Sequence, residues 1–81
     1  MNDYLSRRCR QIDAEIAGLR PRLATARRQI ALAEARAVAG ISGDEQSLLS
    51  ACSRAAELEY ELALLHRLAR ALRAETSEER P

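Results

Sequence analysis

The 81-residue chain has no tryptophan, no phenylalanine and no lysine, and aromatic residues make up only 2% of it. Valine occurs once, and β-branched residues are few throughout. Sheets are packed largely by aromatic and β-branched side chains. Three glycines and two prolines are also too few for the turns of many short strands. A β-sandwich or barrel is therefore excluded. No segment approaches the ~20 consecutive apolar residues of a membrane span. The first ten residues carry three arginines. No apolar run of about 7–15 residues, as in a secretory leader, follows them. The expectation is a cytoplasmic chain that does not insert into a membrane.

Chemical motifs are missing as well. No glycine-rich phosphate loop, zinc-type spacing or Ser/His/Asp arrangement is present. His66 is the only histidine and has no matching nucleophile or ligand set, so it reads as a polar flank. Glu57, Glu59 and Glu61 alternate, and on a helix they splay over different faces. Arg7, Arg8 and Arg10 form a basic cluster without interleaved aromatics, which weighs against a nucleic-acid site. The expectation is a non-catalytic protein with no cofactor and no metal.

Alanine and leucine dominate instead, with 16 and 12 copies, and apolar residues reach 47%. This is the composition of long helices. At 9.0 kDa the chain is a single domain, near the lower limit for a self-sufficient core.

The apolar residues keep a strict spacing. Leu5, Cys9, Ile12, Ile16, Leu19, Leu23, Ala26, Ile30, Ala33 and Ala37 step alternately by four and three. Leu48, Ala51, Ala55, Leu58, Leu62, Leu65, Ala69 and Leu72 do the same. Each series is an a/d seam of heptad period, the pattern of a coiled coil. Between them, Gly40 suits the residue just past a helix end, where positive φ is needed. Ser42 to Glu45 fits a capping box that opens the next helix.

The fold expected is therefore all-α, an antiparallel two-helix hairpin. Its first helix covers about 3–39, the turn 40–43, the second helix about 43–75, and residues 76–81 form a frayed charged tail. A turn this short makes the helices antiparallel. The register then sets Leu23 against Leu58, Leu19 against Leu62, Ile16 against Leu65 and Cys9 against Leu72. At the flanking positions, Arg22 faces Glu61 and Arg8 faces Glu75. Arg20 and Arg27 lie near Glu59, and Asp13 lies near His66 and Arg73. Residues 1–40 hold eight arginines and four acids, net +4; residues 41–81 hold five and eight, net −3. The helices complement each other in charge.

Two features strain this picture. Pro21 removes a hydrogen bond and crowds the preceding turn. It falls at heptad position f, away from the seam, and the seam phase runs through it unchanged. A kinked continuous helix is favoured over a break that would start a new helix with Pro21 at its first position. Cys9 and Cys52 fall near opposite ends of the hairpin, too far apart to bridge within one chain, and are expected as buried thiols.

The second helix has more apolar residues than its seam uses. Leu49, Ala56, Tyr60, Leu64 and Leu68 lie outside the a/d set, and the last three step by four. Leu32 and Val38 add a smaller outward patch on the first helix. A two-helix hairpin cannot cover such a stripe, which marks an interface with a protein partner or a homodimer.

A Gly-containing turn joins the helix segment Leu19-Arg20-Pro21-Arg22-Leu23 to Glu45-Gln46-Ser47-Leu48-Leu49 and Ala56-Glu57-Leu58. Over Leu19 to Leu72, about two thirds of the chain, this arrangement resembles the small helical-hairpin co-chaperones of type III secretion needle subunits. The resemblance implies a cytoplasmic heterocomplex with a larger helical chaperone, keeping a needle-type secretion subunit monomeric before export. Tyr60, Leu64 and Leu68 would then anchor the partner, with Leu49 at the turn end. The competing expectation is a self-associating hairpin bundle, used as an assembly element or as a small RNA- or DNA-binding regulator.

Overall fold

A computed structural model describes residues 3–41 and 45–78. Two helices account for nearly all of them: α1 over Asp3–Val38 and α2 over Glu45–Glu78. They pack side by side as an antiparallel hairpin, a rod measuring 63 × 15 × 15 Å between its Cα extremes. The heptad repeat explains the packing. The eleven buried residues among those described all belong to the two seams, from Leu5 to Ala33 on α1 and from Ala51 to Ala69 on α2. Cys9, Leu19, Ile30, Leu48, Leu65 and Leu72 are half-buried beside them. Only Ala37 departs from its seam and stays exposed, because α1 ends one residue later and the chain turns away.

Ile12 is completely enclosed, and Ile16, Leu23, Leu58 and Leu62 complete the central layers. Five of the eleven buried residues are alanines, so the helices can approach closely but bury little apolar surface. Burying a Leu or Ile contributes roughly 1.5–3 kcal/mol, and an alanine far less. The core is correspondingly thin.

The end of α1 is built by Gly40, whose φ is 80°. The Gly40 amide donates to the Ala37 carbonyl at 3.1 Å, and the Ile41 amide donates to the Arg36 carbonyl at 3.0 Å. These two bonds are the Schellman pair, and they satisfy carbonyls that the helix end would otherwise leave open. Ser42, Gly43 and Asp44 lie outside the described residues, and the expected capping box with them.

Pro21 sits inside α1, which runs unbroken through it. Thr25 Oγ1 donates to the Pro21 carbonyl at 3.0 Å, tying the turn that follows the proline. At the other end of the chain, α2 continues past residue 75 to Glu78. Thr76 and Ser77 are helical rather than part of a frayed tail. Neither residue blocks a helix.

Candidate protein-interaction surface

A hairpin seam leaves two flanks, one along the e positions of both helices and one along the g and c positions. The e flank is laced by two ion pairs. Arg73 donates to Asp13 Oδ1 at 2.8 Å, and Arg27 donates to Glu59 Oε1 at 3.1 Å. Both pairs join residues with the same total of sequence numbers, so they specify one antiparallel register. All four side chains are more than half exposed, at 51–62%. Each pair therefore contributes only ~0–1 kcal/mol and selects the register more than it holds the fold.

His66 lies exposed on this flank, in a shallow cleft of about 300 Å³ with Asp13, Arg20 and Arg73. The carboxylates expected beside His66 and Arg20 are taken by other partners: Asp13 by Arg73, Glu59 by Arg27. No three of His, Cys, Asp or Glu gather as a metal-binding set among the described residues.

The g/c flank is different. Arg22 and Glu61 line one groove, as the register requires, yet they form no ion pair. Arg8 turns to its own helix and donates to Gln11 Oε1 at 3.3 Å instead of reaching Glu75. An exposed pair contributes only ~0–1 kcal/mol, so leaving these positions open costs the hairpin little. Between them lies an apolar groove of about 480 Å³, floored by Leu19, Leu64 and Leu65 and rimmed by Glu15, Arg22 and Glu61. Gly18 opens its α1 wall, since a Cβ built there meets nothing within 4 Å.

The surplus apolar residues of α2 are all at the surface. Tyr60 is 67% exposed, Leu49 64%, Leu64 44% and Leu68 40%, and Ala56 is exposed too. They do not share one face. Leu64 and Leu68 stand on the g/c flank, and only Leu64 lines the groove. Tyr60 points outward from the back of α2, and Leu49 and Ala56, both at b, lie round toward the other flank. The stripe winds because successive steps of four overshoot a full turn by about 40°. Leu32 and Val38 are exposed on α1, as is Tyr4, which sequence periodicity did not single out.

The groove residues that the pattern did not single out are Glu15 and Gly18. Gly18 falls at position c, level with Leu64 across the hairpin, and its place beside the groove shows only once the two helices are paired.

The thiols differ from expectation. Both cysteines are free, but Cys52 is exposed and Cys9 only half-buried. Cys52 follows the buried Ala51, and one residue further along a helix rotates it about 100° off the seam. Among the described residues, no helix is long and apolar enough to cross a membrane. No family model matches the sequence, and no curated protein or solved structure matches it either.

Proposed function

We propose that the chain is a non-catalytic protein-interaction module, a stiff hairpin that offers its apolar g/c flank and the adjoining stripe of α2 to another helical protein. The observation that carries this reading is the contrast between the flanks. One is tied by ion pairs, and the other holds an apolar groove lined by Leu64, with exposed Leu68 on the same flank and Tyr60 round the back of α2. Exposed apolar surface arranged along a helix is the usual landing site for a second amphipathic helix. The thin core supports the same reading, since a small scaffold gains much of its stability from what covers it.

In its specific form this is a small cytoplasmic co-chaperone or adaptor that binds a larger helical chaperone and a needle-type secretion subunit. The resemblance of Leu19 to Leu72 supports that form. The second reading is a self-associating bundle, favoured by the opposite net charges of the two helices.

The test is a tagged full-length chain recovered from its own host beside a Tyr60→Asp/Leu64→Asp variant. Both substitutions lie outside the seam, so helix content by circular dichroism should be retained while bound proteins are lost. Identical binding by the variant, whether to other proteins or to itself, would overturn the reading.

A further inference from the structure

We infer that the occupant of the g/c groove in the isolated protein is a second copy of this chain, placed by a two-fold axis along the length of the rod so that both turns lie at the same end. This rests on the interaction reading above and names the partner for that same flank.

A symmetric pair of hairpins can meet flank to flank in two ways. A two-fold axis across the rod stacks α1 on α1 and α2 on α2, with the turns at opposite ends. A two-fold axis along the rod stacks α1 of each copy on α2 of the other. Residues 1–40 have eight arginines against four acids, and residues 41–81 five arginines against eight acids. The crosswise arrangement therefore sets like charge on like. The lengthwise one sets α1, eight arginines against four acids, beside α2, four arginines against six acids, twice over.

The groove itself fits the lengthwise arrangement. Arg22 and Glu61 line it from opposite helices and form no ion pair with each other or with another described residue. The two-fold brings Arg22 of each copy to the level of Glu61 of the other, so both pairs are supplied at once. Gly18 and Leu64 also line the groove together. The same rotation sets Leu64 of one copy over Gly18 of the other, where the space beside the glycine is empty. A rod of 63 × 15 Å offers on the order of 900 Å² along one flank, close to the ~800 Å² that each partner contributes to a standard interface.

The experiment uses the purified full chain. Light scattering should give a two-chain mass that falls to one chain on dilution. Arg22→Glu alone and Glu61→Arg alone should each weaken association by about tenfold, because each change appears twice in a two-fold interface. An equimolar mixture of the two variants should restore it as a heterodimer. Each variant still holds like charges at 22 and 61 within its own chain, so rescue on mixing arises only between chains. Gly18→Leu, which fills the seat of Leu64, should leave helix content intact and lower the dimer fraction.

Spin labels at Val38→Cys, in a Cys9→Ala/Cys52→Ser background, then read the symmetry. A short separation across the bundle is expected rather than one approaching the 63 Å of the rod. A monomer at every concentration, no rescue on mixing, or a long separation would each overturn the two-copy arrangement. The wider reading would then still be judged by partner loss in the Tyr60→Asp/Leu64→Asp variant.

Discussion

Gly18 and Gly40 both have open space where a side chain would begin, yet alanine should act on them in opposite directions. Gly18 has ordinary helical geometry, so alanine there restricts the unfolded chain without a clash. A gain of about 1 kcal/mol is expected. Gly40 holds a φ of 80°, which an L side chain resists whatever the space around it. Alanine there should cost ~1–2 kcal/mol and loosen the end of α1. Urea unfolding of the two variants at one low concentration checks both signs, and a loss at Gly18 or a gain at Gly40 would contradict the backbone argument. The role of Gly40 was legible in the sequence, because a glycine directly after a helical pattern has few other uses. That of Gly18 was not, because its meaning depends on Leu64 across the hairpin.

The two helices were legible as elements from spacing alone, since an unbroken four-three alternation admits only one face to bury. Their ends were less so. Nothing in Thr76-Ser77-Glu78 distinguishes a last helical turn from a tail. Pro21 illustrates how an element survives a hostile residue: the seam contacts on the opposite face hold α1 together where one backbone bond is lost. Pro21→Ala should let residue 21 donate to the Ala17 carbonyl and stabilise the hairpin by up to ~3 kcal/mol. Thermal unfolding measures this directly, and an unchanged midpoint would mean that α1 already accommodates the ring at no cost. The difference between the flanks could not be read from composition, because both carry charges in complementary positions. Which pairs close depends on reach: Asp13 and Arg73 meet at 2.8 Å, whereas Arg22 and Glu61 do not meet.

For the whole molecule, short length and a high apolar fraction converge. Among the described residues the core has eleven members, five of them alanine, which is thin for a hairpin standing alone. On the proposed two-copy arrangement, association adds to folding stability, and the thermal midpoint is expected to rise with chain concentration. Differential scanning at increasing concentration checks this, and an invariant midpoint would show that the hairpin folds without help. The single groove has a further consequence under the two-copy proposal. A rod adhesive on two sides would add units without end and grow into a fibre. In the arrangement proposed above, each copy spends its one groove on the other, so the two-fold pair would close on itself and stop at two chains.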